Sequence, residues 1–251
     1  MDEKYWDKIA ENYELEIFDT LKNDLTDIII DHINRFSSRR WVASDFGCGV
    51  GKYLPILGER FKTVYAIDLS NKCLELSRES CRRLDNIVYV KGDLADPKLK
   101  TVKTNFAISV NMLIMPSGRQ RAAILKNISR KVVKGGYFLL IVPSLESALY
   151  TQFRLRERIL NPKSRHKGRN YWKFSPVGLK DSPVGGLLNW AGVPTKHFLE
   201  EELISLLSKL NFKVLSVRKV EYSWNSIYDR FPKSMKQPYP WDWLVVSRKT
   251  W

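Results

Sequence analysis

The sequence predicts an α/β fold: a doubly wound, mostly parallel sheet with a terminal antiparallel strand pair, an N-terminal helical cap and a lid insertion. Three observations carry this reading. Short apolar runs alternate with helical stretches from residue 41 to 142, the pattern of a parallel sheet covered on both faces. The first of these runs ends in glycines, and the next two each lead to an aspartate. Later in the chain a last helical stretch precedes two β-like runs joined by a proline-rich loop.

Taken in order, Trp6, Ile9, Tyr13, Ile17 and Leu21 recur at helical spacing, which predicts two helices between Tyr5 and about Phe36, an amphipathic cap on the front of the sheet. Trp41 to Phe46 reads as a strand, followed by a tight turn and a helix from about Lys52. Strands are expected at Val64 to Ile67, Ile87 to Val90, Phe106 to Val110 and Tyr137 to Val142, with helices at Lys72 to Leu84 and Arg119 to Val132. From Pro143 to about Lys196 the alternation stops after a helix at Leu145 to Leu160, and Pro162, Pro176, Pro183, Pro194 and Gly185-Gly186 interrupt the pattern. So long a stretch inside a compact domain is usually functional, and a lid is expected. A helix from Glu200 to Leu210 closes on Asn211, a residue suited to a left-handed C-cap. Phe212 to Trp224 and Trp243 to Arg248 complete the strands. A chain of 251 residues suits one domain: a cap at 1–40, a core at 41–142, a lid at 143–197, and a last helix with antiparallel strands at 198–251.

Composition narrows the class. Hydrophobic content of 44% and charged content of 27% suit a soluble protein. Apolar runs such as Phe138 to Pro143 fall far short of the ~20 residues of a membrane span. The acidic N-terminus lacks the pattern of a secretory leader, so a cytoplasmic location is expected. Cys48, Cys73 and Cys81 have no metal-like spacing and read as reduced thiols, the last two as small buried hydrophobes on one helix face; no metal is expected. The net charge is +15, but residues 1–31 hold ten acids against three bases, which leaves +22 on the rest. Nucleic acid, a phosphorylated or carboxylated small molecule, a membrane surface or plain solvent would each suit that remainder.

The chemistry sits at the strand ends. The first strand ends in Asp45-Phe46-Gly47-Cys48-Gly49-Val50-Gly51, where glycines let the backbone approach a ligand closely. Asp68 follows the second strand and Asp93 the third. A carboxylate at such a tip can hold ribose hydroxyls, so glycine turn and paired acids together point to an adenosine-type cofactor.

The run DFGCGVG, the acids in AIDLS and KGDLAD, the strand FAISVN and the strand KGGYFLLIVP resemble, in order and spacing, the motifs of class I S-adenosylmethionine-dependent methyltransferases, whose fold is Rossmann-like. FLEEELISLLSKLNFKVLSVRKVEY is similar to the family's last helix and antiparallel strand, and YWDKIAENY to the cap of its small-molecule branch. The resemblance implies that Gly47, Gly49 and Gly51 wrap the methionine moiety of S-adenosylmethionine, Asp68 holds the ribose, Asp93 the adenine amine, Asn111 sits beside the cofactor and Tyr13 lies over it. Asp45, Leu69 and Leu94 belong to the same contact set. An NAD enzyme shares the first glycines and acid, whereas the second acid, the Lys-Gly-Gly turn and the antiparallel pair favour the methyl donor.

Methyl transfer from a sulfonium needs mainly near-attack geometry and exclusion of water, together worth about 7 to 11 kcal/mol. A general base matters when the acceptor is protonated, as an amine is. His197, His166, Tyr13 and Tyr171 are the candidates, against the bland reading of a structural histidine. Tyr171-Trp172, Trp190, Trp224 and Pro240-Trp241-Asp242-Trp243 can wall an apolar acceptor pocket or form a cation cage, or else pack the lid. Residues 151–196 hold ten Lys or Arg against Glu157 and Asp181, and Arg154 and Arg158 share a helix face suited to gripping a phosphate or carboxylate. A small-molecule acceptor, anionic groups included, is the leading expectation. RNA or protein methylation and a cofactor-binding pseudo-enzyme are the alternatives. The tip Asn111-Met112-Leu113-Ile114 lacks an Asn-Pro-Pro-Tyr run, no cysteine follows the fourth or fifth strand, and no separate RNA-binding module is recognisable. The acceptor atom and the oligomeric state are open at this level.

Overall fold

The computed structural model describes residues 2–160, 184–190, 192–227 and 235–251. It opens with four short helices, α1 (Glu3–Ala10), α2 (Tyr13–Glu16), α3 (Thr20–Asn23) and α4 (Ile28–Arg35), where the spacing predicts two. Short acids divide the segment. Asp19 accepts the N–H of Lys22, and Asp24 those of Thr26 and Ile29, so backbone donors are satisfied locally and each helix begins afresh.

The alternating core follows as β1 (Val42–Phe46), α5 (Leu54–Arg60), β2 (Thr63–Asp68), α6 (Asn71–Ser80), β3 (Ile87–Lys91), β4 (Thr104–Val110), α7 (Gly118–Lys131) and β5 (Val132–Pro143). Ser70 and Ser117 cap α6 and α7 by accepting backbone N–H groups, each immediately before its helical run. α8 (Leu145–Leu160) lies where the sequence places it. The stretch read as patternless then contains an antiparallel hairpin, β6 (Leu187–Trp190) and β7 (Val193–Lys196), turning near Gly192 at φ 87°. Pro194 hides it from a pattern search, yet a strand with only one neighbour tolerates a residue that cannot donate.

α9 (Glu200–Lys209) ends at Asn211, whose φ of 61° is the expected left-handed stop. β8 (Phe212–Glu221) stops short of Trp224, which instead begins α10 (Trp224–Ile227), and β9 (Trp241–Lys249) closes the fold. The seven-stranded sheet has the order β3-β2-β1-β4-β5-β9-β8. β1 to β5 are parallel, and β9 runs antiparallel between β5 and β8. This is the Rossmann-like arrangement that the sequence predicts, and its winding reverses between β1 and β4, where a crevice opens at the strand tips.

β5 is buried on both faces. Leu139 and Ile141 join Ile33, Leu54 and Leu57 on one side, while Phe138, Leu140 and Val142 join Ile124, Ile128 and Leu203 on the other. The acidic N-terminal segment docks on the sheet's basic edge: Lys52 pairs with Asp19 at 2.8 Å, Lys91 with Glu3 at 2.6 Å, and Lys72 with Glu11. Part of the charge asymmetry is thus internal to the molecule.

A buried cation pins the hairpin. Lys196 is 2% exposed, and its Nζ donates to Glu202 Oε2 at 2.6 Å and to the Gly185 carbonyl at 2.9 Å. Deleting the acceptor leaves an underpaired ammonium, whereas deleting the ammonium itself does not. Glu202→Ala is therefore expected to lower stability by about 1–3 kcal/mol, roughly 2–4 °C of melting temperature per kcal/mol, and Lys196→Met by less. Thermal melts of the two variants check the ranking, and the reverse order refutes it.

Candidate cofactor and acceptor site

The turn after β1 is built by backbone geometry. Gly47, Gly49 and Gly51 have φ of 79°, 52° and 83°, the left-handed region that favours glycine. The N–H groups of Gly47 and Cys48 donate to the Ile67 carbonyl at 2.8 and 3.1 Å, and that of Gly49 donates to Asp68 Oδ2 at 2.8 Å. Asp68 Oδ1 accepts from Ser70 N–H at 2.9 Å. The tips of β1 and β2 are thereby clamped together. A Cβ at Gly47 would strike Met112 and one at Gly49 would strike the Tyr13 hydroxyl, whereas one at Gly51 would strike Ser77 and Leu54. The first two glycines keep room toward the crevice; the third lets α5 and α6 pack close to the turn.

A cavity of about 600 Å³ occupies the crevice. Of the sequence-predicted cofactor residues, Tyr13, Gly47, Gly49, Asp68, Leu69, Asp93, Leu94 and Asn111 line it, joined by His197 and Trp241. Asp45 and Gly51 lie behind the lining. Arg154 also stands apart: its guanidinium donates to the Tyr150 hydroxyl, lies 3.7 Å from Glu157 and covers the Trp224 ring at 5.7 Å. Tyr171 and His166, and the side chains of Arg158 and Trp190, lie outside the described residues.

Burial dominates the electrostatics. Asp45 is 2% exposed, its Oδ2 has no partner among the described residues, and burial assisted by the nearby Asp68 charge pushes its pKa up to about 8. Burial also raises Asp68, although the N–H groups of Ser70 and Gly49 oppose the shift. Tyr13 is pushed well up by burial, with Cys73 and Asp68 adding to it, so it stays a neutral phenol. Burial lowers His197 to about 4, against the pull of the Thr195 carbonyl 3.2 Å from Nδ1. It is a neutral imidazole and a weak base.

The sequence names Asp242 only within the group Pro240-Trp241-Asp242-Trp243. Asp242 sits in β9 opposite Pro143 of β5 and Val220 of β8, and it lines the cavity. Its Oδ2 accepts from Asn111 Nδ2 at 3.2 Å and from the Tyr222 hydroxyl at 3.0 Å. Burial lifts its pKa to about 6, with those two hydrogen bonds opposing. Strand alternation was the available signal, since Asp242 shares a face with buried Leu244 and Val246. Among the described residues the lining includes Glu16, Asp68, Asp93 and Asp242 and no Lys or Arg, and no cluster of His, Cys, Asp or Glu suits a metal ion.

Residues 44–140 match a family model described as a methyltransferase domain. No curated protein matches the sequence. Among solved structures, a SAM-dependent methyltransferase from Methanosarcina mazei is 19% identical with a TM-score of 0.60, over 90% of this chain and 98% of that one. Magnesium protoporphyrin IX methyltransferase from Synechocystis PCC 6803, with bound SAH, is 11% identical with a TM-score of 0.56, over 98% and 86% of the two chains. The N-methyltransferase NodS from Bradyrhizobium japonicum WM9, in complex with SAH, is 11% identical with a TM-score of 0.60, over 98% and 97%. The glycine turn, the strand-tip acids and the reversed strand order agree with that match of residues 44–140 to a methyltransferase domain.

Proposed function

We propose that the chain transfers the methyl group of S-adenosylmethionine to a small-molecule acceptor held in the same cavity as the donor. The observation that carries this is the cavity itself. At about 600 Å³ it runs from Gly47, Asp68 and Asp93 at the strand tips to Trp241 and Asp242 in β9, beneath Tyr13 of the cap. That is the size of a small-molecule site, not of a groove tracking a polynucleotide. The solved neighbour named for magnesium protoporphyrin IX is in keeping with a small acceptor. Among the described residues no helix is long and apolar enough to cross a membrane.

The site fits the donor. Asp68 and Asp93 offer carboxylates to ribose hydroxyls and an adenine amine, and the left-handed turn leaves Gly47 and Gly49 without side chains where a ligand would lie against them. Tyr13, held neutral, closes the cap side of the same space. When bound, S-adenosylmethionine supplies an activated methyl carbon that takes up the acceptor's lone pair while the carbon–sulfur pair stays on sulfur. The protein's part is alignment and exclusion of water.

Asp68→Ala is expected to weaken S-adenosylhomocysteine binding by about 1.5 to 3 kcal/mol, the scale of hydrogen bonds to a charged group. Calorimetry measures it, and an unchanged affinity removes the ribose role. A panel of metabolites and RNA with labelled methyl donor tests the acceptor class. RNA binding that falls steeply with salt, by a log-log slope near −0.7 per phosphate, overturns the small-molecule reading.

Asp45 predicts a measurable stability cost. In an unfolded chain its carboxyl titrates near ~4, whereas in the fold burial raises it to about 8. Between those values the unfolded state has lost its proton and the folded state keeps it, so stability falls as pH rises through the window. Asp45→Asn removes the effect. It is expected to raise the melting temperature by several degrees at about pH 8 and to leave it unchanged at about pH 4. Equal shifts at both pH values would contradict the assignment.

A further inference from the structure

We propose that Asp242 and Asn111 dock the methyl acceptor, and that the acceptor presents an amine nitrogen to them. This rests on reading the cavity as a methyl-transfer site and names its substrate class. Asn111 stands at the end of β4 with φ 48° and points its Nδ2 at Asp242 Oδ2, 3.2 Å away. A carboxylate only accepts, so the amide's orientation follows: nitrogen toward Asp242, oxygen left over. That oxygen, Asn111 Oδ1, is buried and has no partner among the described residues. Both hydrogen bonds to Asp242 fall on Oδ2, and its Oδ1 accepts none from a described residue. Two acceptor side chains line one cavity, each with an oxygen to spare.

Such a pair calls for a ligand group with several N–H donors. A protonated amine has them; a carboxylate or phosphate has none and meets the Asp242 charge. Other groups lining the cavity act in the same direction. Glu16, Asp68 and Asp93 add negative potential, and His197 is neutral. Lys219 sets its ammonium 3.7 Å from the centre of the Trp241 ring. Trp241 is therefore already partnered, and the inference rests on the two oxygens.

An ammonium must lose a proton before its nitrogen can attack. That proton passes to Asp242 Oδ1, whose pKa of about 6 makes the carboxylate a usable base near neutrality. The freed lone pair forms the nitrogen–carbon bond as the carbon–sulfur bond breaks with its electrons retained by sulfur, and Asp242 returns its proton to water as the product leaves.

The test is calorimetric binding of three isosteric probes, benzylammonium, benzyl alcohol and benzoate, to the full chain saturated with S-adenosylhomocysteine at about pH 8, where Asp242 is ionised. Benzylammonium is expected to bind at least about tenfold more tightly than either other probe. Asp242→Asn is expected to abolish that preference while changing S-adenosylhomocysteine affinity less than about twofold. Absence of the preference in the wild-type protein overturns the inference without recourse to any variant. A loss of about tenfold or more in S-adenosylhomocysteine affinity on Asp242→Asn, in a variant whose melting transition is intact, also overturns it, because the carboxylate then serves the donor's own amino group. Failure of the wild-type protein to bind S-adenosylhomocysteine overturns instead the methyl-transfer reading beneath it.

Discussion

The site depends on the clamp between the turn after β1 and the end of β2. Three successive N–H groups, of Gly47, Cys48 and Gly49, reach the Ile67 carbonyl and the Asp68 carboxylate. They can do so only because the turn enters the left-handed region, where glycine has no steric penalty. The clamp fixes Asp68 at the sheet edge and keeps the floor of the crevice free of side chains. The cap exploits that bare floor: the Tyr13 hydroxyl occupies the space a side chain at Gly49 would need. A substitution at Gly49 would therefore disturb the turn, the acid and the cap at once.

The same clamp brings acids together in a poorly solvated place. Burial raises both Asp45 and Asp68, the Asp68 charge adds to the rise at Asp45, and Asp45 Oδ2 has no partner among the described residues. Nothing in the packing of the sheet requires a carboxylate at Asp45, since a strand buried on both faces accepts apolar residues there. The arrangement is a cost to folding, of the kind that persists where a site needs polar groups already in place.

How far the sequence could be read follows from which physical signals are local. β1 to β5 and their helices were legible because alternation, serine caps and glycine turns act over a few residues. Gly47, Gly49, Asp68 and Asp93 were legible because successive strand tips converge on one crevice in any sheet wound this way. The cap was misdivided because Asp19 and Asp24 redirect backbone hydrogen bonds without altering the apolar spacing. The β6–β7 hairpin escapes a pattern search because Pro194 reads as a breaker, although a strand paired on one side only can hold a residue that has no N–H to donate. Asp242 reads from the sequence only as one member of an aromatic wall, because its significance lies in Asn111 and Tyr222, 131 and 20 residues away in the chain. The alternation of 241–249 places its face, but only the assembled sheet places it beside the tip of β4.

Charge illustrates the same difference between global and local information. The net charge of +15 favours an anionic partner when taken alone. Yet the acids of the cap are spent on Lys52 and Lys91, and Arg154 engages Tyr150, Glu157 and Trp224 instead of the cavity. Exposed surface charges farther than roughly 8–10 Å from a ligand are largely screened at physiological ionic strength. A buried carboxylate within hydrogen-bond reach is not screened, and hydrogen bonds to charged groups contribute about 1.5–3 kcal/mol each. The field inside the cavity therefore outweighs the net charge outside it in choosing what binds. At the end of the cavity beside β9, Asp242 and Asn111 set that field.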